Sequence, residues 1–317
     1  EVADSVEKNM VMRELLPAIR ELRNDVFGNY VIQKLLEFGG DDIKEDLAGT
    51  LYGEMLSLSL QMYGCRVVQK ALETLDDEAM SRLIQEFRGN VVTCIHDQNG
   101  NHVIQKCVEV LSNKAKRGNA TAASEMEFII NDVLDNTASL SCHPYGCRVL
   151  QRILEHCLLP QQFRALDEIL ECHGDLLDDQ YGNYVIQHVL QFGRDSDRES
   201  ILNLVVQGGL LTLSRQKFAS NVVEKLLKYG SPIQRNKIVI EMLKPSGEGT
   251  SEVDGSTTSV VLLMVRDAYA NYVVQTILDV LSEGEEKVKL LKELNDHADQ
   301  LRNYTFAKHI VTKLGAA

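Results

Sequence analysis

Apolar residues recur along this chain at the spacing of an amphipathic helix. Those of the segment Val31–Leu36 fall three or four places apart, which puts them on one face of a helix. A second amphipathic stretch, Ile43 to Leu58, has the same character. The strict alternation that strands of a β-sandwich need is not seen. The pattern predicts an all-α fold.

One five-residue motif, called the pentad below, recurs seven times. Its positions 3 and 4 are always Val, Ile or Leu, and position 5 is Gln in six copies and Glu in one. The copies begin at residues 29, 65, 101, 147, 183, 220 and 271, with spacings of 36, 36, 46, 36, 37 and 51. Two helices in each period of 36 residues, repeated, indicate an α-solenoid that forms a single domain over 1–317.

Two of the spacings are longer than the others, and both contain a small, polar segment. These segments are 112–124 and 245–259. We expect flexible surface loops inserted between helices there, because the repeat resumes in phase after each.

The residues just before the pentad carry signals of a helix start. In four copies an aspartate stands four places before the pentad, where it is suited to cap the helix. An aromatic residue or Asn and then Gly or Ala come directly before the pentad, so we expect two helices to approach closely and the aromatic ring to pack beneath. The four aspartates are Asp25, Asp97, Asp179 and Asp267.

Positions 1, 2 and 5 of the pentad share one face of the predicted helix, and that face is polar in every copy. Ordinary solvated positions drift among Glu, Lys, Ser and Gln, whereas these vary within narrow limits. We predict that positions 1 and 5 meet the edge of a base. The pairs are Asn29 with Gln33, Cys65 with Gln69, Asn101 with Gln105, Cys147 with Gln151, Asn183 with Gln187, Ser220 with Glu224 and Asn271 with Gln275.

Position 2 carries a planar side chain in every copy, and we expect these side chains to stack on bases, at roughly 1–3 kcal/mol per base. An Asn–Gln pair suits the edge of uracil, a Cys–Gln pair leaves the Gln amide for adenine, and Glu224 suits the N1–H and N2–H of guanine. The pattern therefore predicts binding of single-stranded RNA, one base per repeat. The stacking residues are Tyr30, Arg66, His102, Arg148, Tyr184, Asn221 and Tyr272.

The formal net charge of −13 argues against nucleic acid unless the basic residues are segregated. Position 6, one turn after the stacking residue, is firmly basic in five copies, and acidic residues collect elsewhere, as in 195–199 and 283–286. We expect a basic reading face on an acidic body, although surface charge that serves only solubility is the alternative. The position-6 residues are Lys34, Lys70, Lys106, Arg152, His188, Lys225 and Thr276.

The remaining composition excludes several classes of protein. The 7 cysteines contain no C-x-x-C pair, so we expect reduced thiols, no disulfide framework and no metal site. No apolar run reaches the ~18–20 residues of a membrane span. We expect neither a cofactor nor contact with a membrane.

Because the chain opens with Glu1 rather than Met, we expect it to be part of a longer protein.

The pentads, their order and their period resemble the Pumilio (PUF) family of RNA-binding proteins over essentially the whole chain. The most specific segments are His143–Cys147, Asp179–Asn183 and Phe218–Glu224. The resemblance implies a right-handed α-solenoid crescent of eight three-helix repeats, with RNA on the concave side. It also implies that the C-terminal repeat meets the 5′ end, so the target is close to 5′-UGUAUAU.

The chain departs from the family pattern in the number of repeats, because it shows seven pentads where eight are expected. An eighth would begin just upstream of Glu1, so we expect the first repeat to be truncated or divergent. At the other end, Phe306–Ile310 lies in register but carries Thr312 where Gln is expected. We interpret about 285–317 as the C-terminal cap.

The resemblance further implies a cytoplasmic regulator that binds mRNA 3′ untranslated regions and recruits repressors or deadenylation machinery. Its protein partners would meet the convex face or the segment 245–259, for which a passive spacer is an equal alternative. We expect a monomer.

Three other functions compete with this interpretation. A protein-binding solenoid of armadillo or HEAT type would not need a planar residue at every position 2. A nucleolar branch of the family that binds ribosomal-RNA precursors usually has degenerate pentads. An enzyme could use His96, Asp97, His143 and a cysteine, but each lies where other copies carry residues that are not catalytic.

Overall fold

The computed structural model describes residues 4–250 and 257–316, most of which are helical. The chain divides into two compact units, Glu1–Glu168 and Ile169–Ala317. Within each unit the helices come in sets of three. Each set has a long helix, a short helix, and a third helix, called the pentad helix, that begins at the residue before the pentad.

The first unit contains four pentad helices. A 3₁₀ turn, Leu16–Ala18, joins the first long helix to the first short one. The sets are Ser5–Leu15, Ile19–Leu22 and Gly28–Phe38; Asp41–Leu51, Met55–Ser59 and Gly64–Thr74; Asp77–Gln85, Val91–His96 and Gly100–Lys116; and Ala120–Leu134, Thr137–Ser141 and Gly146–His156.

The second unit contains three pentad helices. The long helix Leu159–Glu171 begins in the first unit and ends in the second. It is followed by His173–Leu176 and Gly182–Phe192; then by Asp195–Gln207, Leu210–Ser214 and Ala219–Tyr229; then by Pro232–Leu243, Val260–Arg266 and Ala270–Val280; and finally by Glu285–Asp296, Ala298–Leu301, the 3₁₀ turn Thr305–Ala307 and Lys308–Ala316.

The repeat contains three helices rather than the two that the period alone predicted. The amphipathic stretch Ile43 to Leu58 is broken after Leu51, where Gly53 takes a φ of 80°. Glycine adopts this left-handed conformation without steric cost, so it ends one helix and lets the short helix start in a new direction. Gly89 and Gly209, with φ of 75° and 85°, precede short helices in later repeats. The three-helix repeat implied by the family resemblance is confirmed.

The glycine or alanine before each pentad brings the short helix against the pentad helix. A Cβ atom at Gly28 would lie only 2.5 Å from the carbonyl oxygen of Leu22. The equivalent Ala219 is buried, so a methyl group is accommodated in that copy. The predicted close approach is confirmed. The aromatic residue before it is less buried than expected, since Phe27 is 76% exposed and Tyr269 is also exposed.

Pentad positions 3 and 4 form the centre of the core, as expected, with one exception. They are buried in six of the seven copies, because each pentad helix packs between the other helices of its unit. In the first copy Val31 is 41% exposed although Ile32 is buried. The described chain has no pentad helix before Gly28–Phe38, so this face of the helix is not covered by a preceding repeat.

The segment 112–124 is mostly helical, which corrects the prediction of a flexible loop. The pentad helix Gly100–Lys116 continues through its first part, and Ala120–Leu134 begins in its second. Only residues 117–119 form a turn, and the side chain of Asn119 caps the following helix by accepting from the N–H of Ala122, at 2.9 Å. Alanine and lysine favour helix, so the insertion lengthens two helices.

The segment 245–259 contains a short antiparallel hairpin, which also corrects the prediction of a loop. Strand Pro245–Thr250 pairs with Thr257–Ser259, and residues 251–256 lie outside the described part. The Ser259 hydroxyl donates to the Glu293 carboxylate at 2.7 Å, which ties the end of the hairpin to the last long helix.

The last set of helices differs from the others at its pentad positions. Lys308 stands at position 1 and is exposed, whereas position 1 is buried in the seven pentads. The Thr312 hydroxyl, at position 5, donates to the Lys308 carbonyl at 2.9 Å. Among all the helices that the structure describes, none is long and apolar enough to span a membrane.

Candidate nucleic-acid interface

The seven pentads share one gradient of burial across their polar positions. Position 1 is buried, position 5 is half-buried and position 2 is exposed in every copy. In the first copy, Asn29 is completely buried while the neighbouring Tyr30 is 55% exposed. The face predicted for positions 1, 2 and 5 is therefore graded. Position 1 is the least accessible of the three, position 5 is partly accessible, and position 2 is the most accessible.

In the four Asn–Gln pentads the position-5 amide donates to the position-1 amide. Each Nε2 bonds to the Oδ1 of the asparagine four places earlier, so one proton of each glutamine amide is engaged within the pair. The bonds measure 2.9 Å from Gln33 to Asn29, 2.9 Å from Gln105 to Asn101, 2.9 Å from Gln187 to Asn183 and 2.8 Å from Gln275 to Asn271.

The asparagine of such a pair is fully engaged as a donor. Both protons of the Asn29 amide go to backbone carbonyls, those of Asp25 and Val26. The asparagine thus offers only acceptor capacity to a ligand, while the glutamine keeps one N–H and its Oε1.

The Cys65 pentad lacks this bond between positions 1 and 5. The Cys65 thiol points to the Met62 carbonyl at 3.4 Å, and Gln69 Nε2 donates to the backbone carbonyl of Cys65 at 3.1 Å. Burial raises the pKa of Cys65, so the residue presents a neutral thiol at neutral pH. The position-5 amide is therefore held by the backbone rather than by the position-1 side chain.

The other two pentads without asparagine keep the same burial pattern. In one, Cys147 is buried with its thiol 3.7 Å from the Pro144 carbonyl, and Gln151 is half-buried above it. In the other, the Ser220 hydroxyl donates to the Lys217 carbonyl at 3.3 Å. In both, the position-1 side chain is directed to its own backbone, which leaves the position-5 side chain as the main polar group of the pair.

Glu224, the single acidic residue at position 5, is held by the next repeat. The Thr276 hydroxyl donates to Glu224 Oε2 at 3.2 Å, and Lys228 Nζ lies 3.9 Å from the same oxygen. Thr276 is the position-6 residue of the following pentad and the only one there that is buried. It supplies a donor to the carboxylate where the other copies carry long basic side chains or His188.

The position-2 side chains of neighbouring repeats come within reach of one another. Arg66 Nη1 lies 3.5 Å from the Tyr30 hydroxyl, across one repeat. Tyr184 and Tyr272 are each about as exposed as Tyr30. Planar groups at this spacing, with open faces, are suited to stack with bases.

The aspartates four places before four of the pentads cap the pentad helices. The Asp25 carboxylate accepts from the N–H groups of Phe27 and Gly28, at 2.9 and 2.7 Å. These bonds, that to Gly28 first, lower the pKa of Asp25. The other three aspartates make the same pair of bonds, so the predicted caps are confirmed.

His143 takes the place of this aspartate in the Cys147 pentad. Its Nδ1 accepts from the N–H groups of Tyr145 and Gly146 at 3.2 and 3.1 Å, which requires that Nδ1 carry no proton. The ring centroid of His96 lies 4.6 Å from that of His143. Burial, and then the electrostatic effect of the neighbouring His96, lower the pKa of His143. The two histidines considered for a catalytic group are therefore in contact. The His143 ring, however, accepts hydrogen bonds from the backbone at the start of its own helix.

The sequence predicted a basic face formed by the position-6 residues. In the first unit, most of these basic side chains form ion pairs with glutamates. Lys34, Lys70 and Arg152 each contact a glutamate three places later, at 2.7–3.0 Å. Glu73 contacts both Lys70 and Lys106, at 3.0 and 2.9 Å. Burial would raise the pKa of Glu73, but the two lysines lower it below its ordinary value. The segregation of positive charge is therefore weaker than predicted.

None of the 7 cysteines, all of which lie in the described part of the chain, forms a disulfide, and most are inaccessible. Five are buried, Cys172 is half-buried and Cys142 is exposed. Burial raises the pKa of Cys94 to about 12 and that of Cys157 to about 11. In 4–250 and 257–316 no three His, Cys, Asp or Glu side chains are grouped so that they could hold a metal ion.

Sequence reasoning missed the role of two residues that act on these positions. It treats His143 as a catalytic candidate, although its register with the capping aspartates is visible in the chain. It marks Thr276 only as a non-basic residue at position 6. The contact of Thr276 with Glu224 joins two residues that are 52 places apart, and no local pattern reveals such a contact.

A profile of the Pumilio-family RNA-binding repeat matches seven segments of the chain, each of which contains one pentad. The matched segments are 24–48, 54–87, 90–117, 136–170, 179–206, 210–243 and 261–294.

Solved structures of similar proteins cover the whole chain. The crystal structure of PUF-8 in complex with PBE-RNA is 34% identical, with a TM-score of 0.87 over 100% of this chain and 87% of that one. The Puf3 RNA-binding domain bound to the Cox17 RNA 3′ UTR recognition sequence site A is 38% identical, with a TM-score of 0.84 over 99% of this chain and 88% of that one.

Curated relatives are longer than this chain. A Pumilio domain-containing protein of Schizosaccharomyces pombe is 29% identical over 62% of this chain and 27% of its own length. The chain spans between 20% and 33% of the length of this relative and two from Saccharomyces cerevisiae. Seven matched repeats and two RNA-bound structural relatives lead to one conclusion: the chain belongs to the Pumilio family of RNA-binding repeat proteins.

Proposed function

We propose that this chain binds single-stranded RNA of a sequence close to 5′-UGUAUAU, one base per pentad, with its C-terminal repeat at the 5′ end. Asn271 and Gln275 then read U1, Ser220 and Glu224 read G2, Asn183 and Gln187 read U3, Cys147 and Gln151 read A4, Asn101 and Gln105 read U5, Cys65 and Gln69 read A6, and Asn29 and Gln33 read U7.

The observation that carries this proposal is the graded burial of the same three positions in all seven pentads. A buried residue and a half-buried residue, side by side beneath an exposed planar group, suit a base that stacks on position 2 and turns its edge toward positions 1 and 5. A face that merely contacts solvent would not keep this gradient through seven copies.

The chemistry of the individual pairs supports the base assignments. The glutamine of an Asn–Gln pair keeps one donor and one acceptor, which match an oxygen and the N3–H of uracil. Glu224 presents a carboxylate, which matches the two donors of guanine. A cysteine at position 1 is smaller than asparagine, which leaves room for the larger ring system of adenine.

The RNA-bound relatives support the same proposal. PUF-8 is seen with PBE-RNA, and Puf3 with a recognition sequence from the Cox17 RNA 3′ UTR. By extension, this chain recognises 3′ untranslated regions of mRNA in the cytoplasm, acts as a monomer, and represses translation or mRNA stability through recruited proteins. The convex face and the hairpin at Pro245–Ser259 are the places we assign to such partners.

The test is a comparison of four RNAs. Binding of the chain to 5′-UGUAUAUA and to the same RNA with A, C or U at position 2 is measured by fluorescence anisotropy in moderate salt. We expect the RNA with G2 to bind best, by a factor corresponding to about 1–3 kcal/mol. Equal binding of all four RNAs, or none of any, would contradict the proposed code.

A further inference from the structure

The residue four places before the pentad changes together with position 1. It is aspartate in all four pentads that begin with asparagine. In the three pentads that begin with cysteine or serine it is Gln61, His143 and Gln216. A residue that only capped the helix would have no reason to follow the identity of position 1, because every pentad helix has the same N–H groups to satisfy.

The geometry shows how the two positions are connected. In every copy the position-1 side chain donates to the backbone carbonyl three places earlier. Only asparagine has a second proton on the same atom, and it goes to the carbonyl four places earlier, that of the aspartate itself. These second bonds measure 2.8 Å at Asn29 and 2.9 Å at Asn101, Asn183 and Asn271.

The aspartate holds that carbonyl in place through its own side chain. Asp97 Oδ1 accepts from the N–H groups of Asn99 and Gly100, at 2.7 and 2.8 Å, and so closes the turn that carries both carbonyls. Gln216, at the same place in the Ser220 pentad, makes no such bonds, since its Oε1 is buried with no hydrogen-bond partner.

This closed turn also sets the direction of the glutamine that faces the ligand. With both amide protons of Asn101 directed to backbone carbonyls, its Oδ1 points outward and accepts from Gln105 Nε2 at 2.9 Å. In the Cys65 pentad, which lacks the aspartate, Gln69 Nε2 bonds to a backbone carbonyl instead. The hydrogen bonding of the position-5 amide therefore differs between the Asn101 pentad and the Cys65 pentad.

We propose that Asp25, Asp97, Asp179 and Asp267 are positioning residues for uracil selectivity. Each fixes the asparagine amide, and through it the glutamine amide, in the orientation that accepts the N3–H of uracil. This inference rests on the proposed base-reading function. It adds a fourth position to the three that the pentad contributes to each repeat.

The first experiment replaces Asp97 with glutamine, the residue that the chain itself uses at positions 61 and 216. Affinities for 5′-UGUAUAUA with each of the four bases at position 5 are measured for the original chain, D97Q and the conservative variant D97N. We expect D97Q to lose about three- to tenfold of the preference for U5, the factor that one hydrogen bond provides. D97N keeps an Oδ1 acceptor and is expected to retain the preference.

Selectivity at position 3, read by Asn183, is the internal control and is expected to stay unchanged in D97Q. A fall in affinity that is equal for all four bases at position 5 would show a structural role only and would overturn the inference. So would a D97Q chain with its full preference for U5. Failure of the original chain to discriminate at any position refutes the proposed function itself, so the two failures are distinguishable.

The second experiment introduces the aspartate and the asparagine into the Cys65 pentad, which has neither. The variant C65N alone and the double variant Q61D/C65N are compared for binding to RNAs with A or U at position 6. We expect the double variant to prefer U6 by at least about threefold more than C65N, because only it has the aspartate side chain that closes the turn carrying the two backbone carbonyls. Equal preferences in the two variants would contradict the role of the aspartate.

Discussion

Thr276 Oγ1 donates to Glu224 Oε2 at 3.2 Å, from one pentad helix to the one before it. The only acidic residue at position 5 is thus adjacent to the only hydroxyl at position 6. The carboxylate that we assign to guanine is thus held at one of its oxygens, Oε2, by a threonine of the next repeat.

Removal of this contact should weaken the reading of G2. T276V keeps the shape of the side chain and removes the donor, so we expect the preference for G over A at position 2 to fall about fivefold, or about 1 kcal/mol. Preferences at position 3 serve as the control. An unchanged preference at position 2, measured by anisotropy titration, would show that Glu224 needs no partner.

A change of the reading pair itself should change the base that is read. In the double variant S220C/E224Q the pair becomes that of the Cys65 and Cys147 pentads, and we expect the preference at position 2 to move from G toward A. Competition between RNAs that differ only at this base measures the shift. If G remains preferred, this repeat is assigned to the wrong base.

The exposed ring of Tyr184 should contribute to affinity without affecting stability. We expect Y184A to weaken RNA binding by about 1–3 kcal/mol, because one base loses its stacking partner. F192A removes a partly exposed ring from the other end of the same helix and is the matched control. Equal losses in the two variants would indicate a general effect of the helix rather than stacking.

Glu73 should limit the affinity for RNA, because it forms ion pairs with two lysines at position 6 of neighbouring pentads. In E73Q, Lys70 and Lys106 lose their shared carboxylate, so we expect tighter binding at low salt. The slope of log K against log salt should steepen by about 0.7 for each additional phosphate that the lysines bind. E199Q, which removes a lysine-paired glutamate from a long helix, is the control. A lower affinity in E73Q would mean that the ion pairs hold the lysines in their working positions.

His143 should make the stability of the fold sensitive to mild acid. Its pKa in the folded protein is lowered from 6.5, so the unfolded chain binds the proton first. The contribution of the neutral ring is complete above about pH 6.5 and is lost as the pH falls toward the lowered value.

The variant H143D restores the aspartate that caps four of the other pentad helices. We expect it to lose less stability than the original chain between about pH 7.5 and about pH 5.5. Urea unfolding at the two pH values measures this difference. Parallel losses in the two proteins would assign the acid sensitivity to other groups.

Much of this protein follows from local patterns that are visible in the chain. The period, the pentads and the capping aspartates depend on contacts within one or two helical turns, and such contacts leave a regular trace in the sequence. The same holds for the burial of positions 3 and 4, because a helix with one apolar face must bury it. The exposed Val31 marks the limit of this reasoning, since its burial depends on a neighbouring repeat and not on its own helix.

Tertiary structure decided the features that depend on the partners of a side chain. The period predicted two helices per repeat, but the fold has three, because a glycine with positive φ divides a continuous amphipathic stretch. The charges of the individual residues did not reveal that Glu73 forms ion pairs with lysines of two repeats. The sequence by itself determined which residues occupy positions 1, 2 and 5 of each pentad, since the pentads recur at a nearly regular spacing. Only the fold decided how their amides, carboxylates and cations are oriented, because hydrogen bonds to backbone carbonyls and contacts with neighbouring repeats set those directions.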